Sequence, residues 1–503
     1  LGYIQILYKK NNRIIILLMK KYDVVIVGFG PTGATLANLL ALHGFSILVL
    51  EKEKSFYPLP RAVHFDDEIM RVFETIGITS TFLKHTIINK GTKFVDKKNR
   101  VILDWPRPRE ITENGWYPSY RFNQPDLERE LRKKLKSYKK VEIKQSSNVK
   151  KIINKKNIVN ITFEDINSKK ILNIKSKYLI GCDGANSITR SQMKTKLNNL
   201  GFTQKWAVID LILNKDKKSL PDRTIQYSNP TRPATYCRNV GKRRRWEFAI
   251  KKNEKIEKIL SDKYIWNFLK PWLKKKEARM ERKTIYTFQS ALAKNWKKGR
   301  IFLAGDAAHL MPPFMGQGMC AGIRDVSNLA WKISHCLRKK HDDKLLNTYQ
   351  SERSSNVKEY IETTMRMGEF VNAVGKSPIT SNISADSKGR KSMKSIKPKL
   401  GRGLGKPKDK FRGNIFPQFK NNGKNLDIKF SKKPILVLSN KFKQSLSNKI
   451  NFYINKSNNK LSRYLENAKC EGLIIRPDRF ILESIQNLKD VKLITKRNLK
   501  LLV

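Results

Sequence analysis

The sequence predicts an α/β protein: a Rossmann-like dinucleotide-binding domain, a mixed β-sheet inserted into it, and a small C-terminal appendage. Three observations predict this. A β-branched apolar run leads into Gly28-Phe29-Gly30-Pro31-Thr32-Gly33 and then into a helical pattern. Residues 205–290 alternate in the manner of a mixed sheet. Between about 376 and 425, Ser, Lys, Gly and Pro dominate, and apolar patterning returns only at 434–438 (PILVL) and 472–475.

The elements follow in order. Residues 22–27 (YDVVIV) read as a buried strand, 31–43 as a helix with Gly44 placed to stop it, and 46–50 as a second strand. Short strands broken by Lys and Asn fill 141–180 and end in Tyr178-Leu179-Ile180. Helical content falls near 254–273, a buried strand at 301–304, and helices at 318–338 and 349–367. Residues 1–18 are set aside as a non-native extension, because the apolar run 14–19 is too short for a membrane span and no small-residue cleavage site follows it. The expected organisation is a main domain over 19–375 with its inserted sheet at about 195–290, a linker over 376–425, and the appendage over 426–503.

With 503 residues the chain can bury a large core. Lys and Arg number 104 against 43 Asp and Glu, a formal charge of +61. Such a charge suits nucleic acid or an anionic membrane, but the lysines are scattered and form no dominant tract. They read as codon bias, with no specific nucleic-acid partner. Anionic cofactors and substrates are still drawn in. Five cysteines without a CxxC pair point to a reduced, cytoplasmic protein, and six histidines lack metal-ligand spacing.

In the glycine turn, Gly28 permits the tight bend, Gly30 lets a pyrophosphate approach, and Gly33 allows helix and strand to pack closely. Pro31 and Thr32 open the helix, whose N-terminus faces the anion. Glu51, followed by Lys52, ends the second strand, where a carboxylate can bind a ribose diol. Two further strands run into Cys182-Asp183-Gly184 and Gly305-Asp306, placing an Asp at each strand's C-terminal end. Asp306 can accept from a ribityl hydroxyl and Asp183 can organise a phosphate loop; either alone also reads as a turn or N-cap residue.

As a set, these motifs resemble the p-hydroxybenzoate hydroxylase-like (class A) FAD-dependent aromatic monooxygenases over about 20–370. The resemblance implies that the fingerprint and Glu51 hold the ADP half of FAD, with Arg61 near the pyrophosphate and Arg121 and Gln124 lining the cofactor. It also implies that 311–333 (MPPFMGQGMCAGIRDVSNLAWKI) passes the flavin ring and opens a helix. There Pro312 and Pro313 stiffen a loop, Gly316 and Gly318 leave room for a flat ring, and the amides near Gly318 and Met319 face reduced flavin. A narrower resemblance, through 61–77, 225–236 and 243–248, is to the 3-(3-hydroxyphenyl)propionate hydroxylase branch. Residues 473–481 (LIIRPDRFI) resemble that branch's degenerate thioredoxin-like domain, here without a redox CxxC and so structural or at a subunit contact; a homodimer is left open.

The implied reaction is hydroxylation of a phenol, in which NAD(P)H reduces FAD, O₂ adds as a hydroperoxide, and the distal oxygen passes to the ring. His64 either aids phenol deprotonation or packs as a hydrogen-bonded residue. Arg232 and Arg245 either receive a substrate carboxylate or belong to a solvated basic surface. Without a second fingerprint, NADPH and NADH both stand. Two rival readings are a related flavin enzyme that inserts no oxygen and a basic anion-surface binder on an inactive flavin fold.

Overall fold

The central sheet is parallel because its strands are apolar on both faces. Val24, Val25, Ile26, Ile47, Leu48 and Val49 are all fully buried, as strands covered by helices must be. A computed structural model describes residues 2–10, 13–339, 343–372, 383–385, 391–421, 424–429, 432–442, 446, 450–455 and 459–502. In it the sheet order is Ser147–Asn154, Val159–Asp165, Ile171–Gly181, Arg13–Val27, Ile47–Leu50, Val141–Lys144. The last four run parallel, and Ile301–Leu303 pairs in parallel with Ile171–Gly181. Register places Leu50, Val27, Gly181 and Leu303 in one row. The four strands therefore stop together, and the residues after them meet at one edge.

The first strand begins at Arg13 rather than at 22, because the apolar run through Ile14–Ile16 continues it. Gly2–Lys10 pairs with it antiparallel, so the segment set aside as an extension forms a hairpin on this strand. The following helix spans Pro31–Ala41 and ends two residues before the expected limit. Helices Gly318–Lys339 and Asp343–Asn372 fall where expected, the second longer at both ends. No described helix is long and apolar enough to cross a membrane.

A second, mixed sheet centres on Leu197–Leu213, flanked by Ala278–Ala293 and Arg243–Ala249. It continues through Ala234–Arg238 and Thr224–Tyr227 into Gly91–Val95 and Val101–Pro106. The last two lie outside the 195–290 window and enter by parallel pairing with Thr224–Tyr227. One face of the sheet packs Ala207, Ile209, Leu211, Trp246 and Phe248 against Ile265 and Leu269 of helix Asp262–Leu269. The other face looks to the cofactor-type domain.

Part of the 376–425 stretch lies outside the described residues. Its described part is packed rather than solvated: Met393, Leu400 and Phe416 are buried. Its backbone is also held, since Gly401 N donates to Glu352 O at 2.9 Å and Asn356 Nδ2 to Pro398 O at 2.7 Å. Beyond it, Phe452–Ile454, Ile435–Leu438, Gly472–Ile475 and Ile481–Ile485 form a four-stranded sheet with helix Lys460–Asn467.

Buried charge locks this sheet to the main domain. Glu352 Oε2 accepts from Asn328 Nδ2 (3.0 Å), Lys332 Nζ (2.7 Å) and Arg476 Nη2 (2.9 Å). Arg476 also donates from Nε to Asp478 Oδ1 at 2.9 Å. Nearby, Asp427 accepts from Arg71 Nε (3.0 Å) and Arg479 Nε (2.8 Å). Burial alone would raise the pKa of Glu352, but Arg476 and Lys332 outweigh it and hold the carboxyl far below its ordinary range. Removing Arg476 leaves Asp478 buried without its cation and Glu352 with Lys332 alone. Arg476→Leu should therefore destabilise the fold by about 3–5 kcal/mol, read as a fall in the chemical-denaturation midpoint. An unchanged midpoint would show that the contact carries no stability.

Candidate active site

Close backbone approach builds the cleft at the row of strand ends. Gly28 has a φ of +97°, and a Cβ there would collide with the carbonyl of Cys182. A Cβ on Gly33 would collide with the carbonyl of Gly28. Gly305, at φ +62°, would set a Cβ 2.9 Å from Thr32 Oγ1, and Gly322 would press on the same hydroxyl and on Gly305 Cα. The glycine turn, the Cys182-Asp183 turn, the Gly305 turn and helix Gly318–Lys339 thus touch one another through residues that tolerate no side chain. Gly30 differs: nothing lies within 4 Å of its Cβ direction. It caps helix Pro31–Ala41, with Pro31 in the first turn, and faces open space where an anion can approach the helix N-terminus.

Acidic side chains stand around this opening. Glu51 Oε2 accepts from Phe29 N at 2.7 Å, which orients the carboxylate beside the turn. Lys52 is solvated and pairs loosely with Glu53 at 3.6 Å. Asp183 caps its own turn, accepting from Ser187 Oγ (2.6 Å) and Thr189 N (2.9 Å). Asp306 is exposed and receives no hydrogen bond among the described residues, yet protein encloses it enough for burial to raise its pKa. His309 and Arg61 reach it electrostatically and pull the other way. An exposed acid that no protein donor satisfies, at a strand end beside the glycine turn, suits a ligand hydroxyl.

Arg61 lies on an exposed loop over the Tyr57 ring, 4.9 Å from its centroid. Gln124 is buried and holds that loop, accepting from Arg61 N (3.2 Å) and Ala62 N (2.8 Å). Arg121 is buried at the junction with the second sheet, donating to Asn89 Oδ1 (2.8 Å), Thr224 Oγ1 (2.7 Å) and the Arg238 carbonyl. Both side chains hold the walls of the cleft together.

The loop Pro313–Met315 ends at Gly316, whose φ is +64° and whose Cβ would lie 2.9 Å from His64 Nδ1. Pro312 is extended before it, Gly318 opens the helix, and Met319 packs against the central core. His64 Nδ1 lies 3.3 Å from Gly316 O, so His64 props this loop from beneath. Its Nε2 is buried without a hydrogen bond. Burial, aided by the charge of Arg107, lowers its pKa to about 4.

The two arginines weighed as carboxylate receptors are both spent. Arg232 Nη1 donates to Glu254 Oε2 (3.0 Å) and Ala249 O (2.8 Å). Arg245 is buried; its Nε donates to Asp210 Oδ1 (2.8 Å), its Nη1 to Arg61 O (2.9 Å), and its Nη2 to Pro60 O. Arg282 Nε joins the same Asp210 at 2.8 Å.

Residues missed in the sequence complete the site. Asp325 Oδ2 accepts from Gly305 N (3.0 Å) and lies 2.6 Å from His309 Nε2, while Oδ1 accepts from Arg353 Nε (2.9 Å). Arg132 Nη2 donates to Phe29 O at 2.9 Å with its guanidinium 4.2 Å from the Phe29 ring centroid. A visible signal existed for Asp325: an adjacent Arg-Asp pair set between the apolar residues Ile323 and Val326. For Arg132 no local pattern marks the contact.

Fold and cleft define a dinucleotide-binding α/β protein whose strand ends, glycine turn and acids frame an ADP-containing cofactor. The chain belongs to the FAD-binding domain family, whose model matches residues 21–364. It is 37% identical over 353 residues to a protein of Rhodococcus jostii described as "Probable NADH-specific resorcinol 4-hydroxylase", covering 69% of this chain and 65% of that one. It is 33% identical over 350 residues to a 3-(3-hydroxy-phenyl)propionate/3-hydroxycinnamic acid hydroxylase of Mycolicibacterium smegmatis, covering 69% and 61%. The match thus spans under two thirds of either relative. The flavin-dependent monooxygenase PieE, solved with FAD and substrate, superposes with a TM-score of 0.78 at 15% identity, covering 96% of this chain and 99% of that one, and shows the shared fold. The cleft residues fit FAD: Gly30 leaves space for the phosphates, Glu51 is oriented for a ribose, and Asp306 is exposed with no hydrogen-bond donor among the described residues.

Two glycine variants separate cofactor space from packing. Gly30→Val should fold normally and lose FAD, whereas Gly33→Ala should lose both FAD and thermal stability. Flavin content and melting of the apoprotein measure this; full flavin in Gly30→Val would remove the turn from the binding site. His64 supplies a pH test. Its pKa of about 4 lies below the ordinary 6.5, so the unfolded chain binds more protons between these values. Stability is then complete above pH 6.5 and falls by up to about 3 kcal/mol as pH drops to 4. His43, also lowered to about 4, acts in the same window. His64→Gln should accordingly flatten only part of the slope, and an unaltered slope would show that His64 is not the buried neutral base described.

Proposed function

We propose that this chain is an FAD- and NAD(P)H-dependent monooxygenase that hydroxylates a phenol. The observation that carries this reading is the aromatic contact between the loop before Gly316 and the second sheet. Phe314, on the loop before Gly316, packs against Trp206 and Phe202 at centroid distances of 5.7 and 5.9 Å. An aromatic substrate held there is shielded from water and lies beside the loop that the family resemblance runs past the flavin. Both curated relatives named above are hydroxylases of phenols, which supports the same class.

In this reading the Gly30 amide region and the helix N-terminus behind it receive the pyrophosphate, and Glu51 accepts from ribose hydroxyls. Asp306 accepts from the ribityl chain, and Arg61 screens the phosphates from the mobile-solvent side. Amides near Gly318 and Met319, at the N-terminus of a helix, would stabilise negative charge on reduced flavin. FAD, when bound, supplies the redox chemistry, accepting a hydride from nicotinamide and activating O₂. The R. jostii relative is described as NADH-specific, which favours NADH as the reductant. In this reading His64 props the loop rather than taking the phenol proton, because burial lowers its pKa to about 4 and its Nδ1 is engaged with Gly316 O. A mixed four-stranded sheet with a flanking helix supports a thioredoxin-like C-terminal domain. The absence of disulfides among the five cysteines supports a cytoplasmic location.

Purified holoprotein supplied with NADH, a panel of phenols and isotopically labelled O₂ tests the reading. The expected result is substrate-stimulated NADH oxidation and a hydroxylated product carrying one labelled oxygen. Substrate turnover with unlabelled product would assign the chain to flavin enzymes that insert no oxygen.

A further inference from the structure

The cofactor-facing side of the second sheet is organised in rows set by strand register. In one row, Asp210 stands opposite both Arg245 and Arg282, and these arginines hold the Pro60-Arg61 loop through its carbonyls. Four residues along, Trp206 carries Phe314 of the loop before Gly316. Between these anchored rows runs a third: Thr284, Val208, Glu247, Thr235, Gln226 and Phe94, each directly opposite the next. Its side chains share the face of Asp210 and Trp206, because strand residues two apart point the same way. This row lies between the two loop contacts on the same side of the sheet.

Glu247 is its centre. It is 8% exposed, and among the described residues no hydrogen bond reaches its carboxylate. Arg245 Nη1 lies 3.6 Å away, near enough for charge to be felt but too far for a hydrogen bond. Arg245 has already committed its donors to Asp210, Arg61 O and Pro60 O. Along the row, Thr235 Oγ1 donates to Gln226 Oε1 at 2.7 Å, and Gln226 Nε2 donates to Ala234 O at 3.2 Å. These two satisfy each other and leave Glu247 as the acceptor without a donor. Burial raises its pKa; the charges of Arg245 and Arg282 pull it down but do not outweigh burial, to which Asp210 adds. A buried carboxyl in this state gains most from a neutral O–H donor and is hostile to a second carboxylate.

We infer that Glu247 receives a ring hydroxyl of the substrate, so that the site selects an uncharged phenol with a second hydroxyl over a phenol bearing a carboxylate side chain. The inference rests on the proposed phenol hydroxylase reading and sharpens it. The commitments of four described arginines argue in the same direction. Arg232 is held by Glu254, Arg245 and Arg282 by Asp210, and Arg121 by Asn89, Thr224 and the Arg238 carbonyl. A substrate carboxylate would have to break one of these pairs.

The test titrates FAD-loaded protein with 1,3-dihydroxybenzene and with 3-(3-hydroxyphenyl)propionate, reading Kd from the perturbed flavin absorbance. Wild type should prefer the dihydroxybenzene by at least about tenfold. Glu247→Gln, nearly the same shape, should weaken dihydroxybenzene roughly ten- to a hundredfold and leave the propionate unchanged or tighter, with flavin content intact. Equal Kd changes for both ligands, or none for either, would overturn the role of Glu247. A wild-type preference for the propionate would overturn the selectivity without any variant, and would leave the hydroxylase reading standing. If neither phenol perturbs the wild-type flavin, the hydroxylase reading itself falls.

Discussion

One buried carboxylate, Asp325, carries the junction on which the cleft depends. It takes the Gly305 amide from the strand-end turn, His309 from the residues after it, and Arg353 from helix Asp343–Asn372. Burial alone would raise its pKa, but His309 and Arg353 outweigh that and keep it ionised. A backbone amide at a left-handed glycine has few ways to be satisfied inside a core. Asp325 supplies that acceptor, and its second oxygen is fixed by Arg353, so the turn cannot shift without unpairing a charge. The close packing of Gly305 and Gly322 on Thr32 follows from this tether.

The same device recurs elsewhere. Asp210 lies between Arg245 and Arg282, Asp427 between Arg71 and Arg479, and Glu352 between Lys332 and Arg476. Each joins segments distant in sequence: the second sheet to the Pro60-Arg61 loop, helix Asp67–Ile76 to the C-terminal region, and helix Gly318–Lys339 to that region again. With 104 basic and 43 acidic residues, acids are scarce, and these three buried ones are each flanked by two cations. Such pairs add little net stability compared with well-packed apolar groups, but breaking them is costly. They fix which segments meet.

What was legible in the sequence was local. A strand, a glycine turn and a helix occur within twenty residues, and the Pro31 helix and its flanking strands fall where periodicity put them. The strand-end acids Glu51, Asp183 and Asp306 were visible for the same reason. Illegible were matters decided by distant partners. Arg232 and Arg245 look alike as surface cations until Glu254 and Asp210 are seen beside them. Gly91–Val95 and Val101–Pro106 belong to a sheet whose centre is a hundred residues on. The Lys- and Gly-rich stretch around 391–421 has a linker's composition, yet its few apolar side chains are turned inward, and composition cannot report direction.

Helix Gly318–Lys339 connects these features in order. Gly318 opens toward the cleft, Gly322 meets Thr32, and Arg324 reaches Asp66 (2.5 Å) and Glu68 (2.6 Å). Asp325 then holds Gly305, Asn328 binds Glu352 and Asp478 (both 3.0 Å), and Lys332 closes on Glu352. Within four turns the helix passes from the cofactor opening to the C-terminal lock. A helix is stiff along its axis, so its N-terminal amides are positioned by contacts made at both ends. The C-terminal sheet, although remote from the cleft, therefore bears on it mechanically: Arg476 and Asp478 set the seat of the helix whose first residues face the cofactor opening.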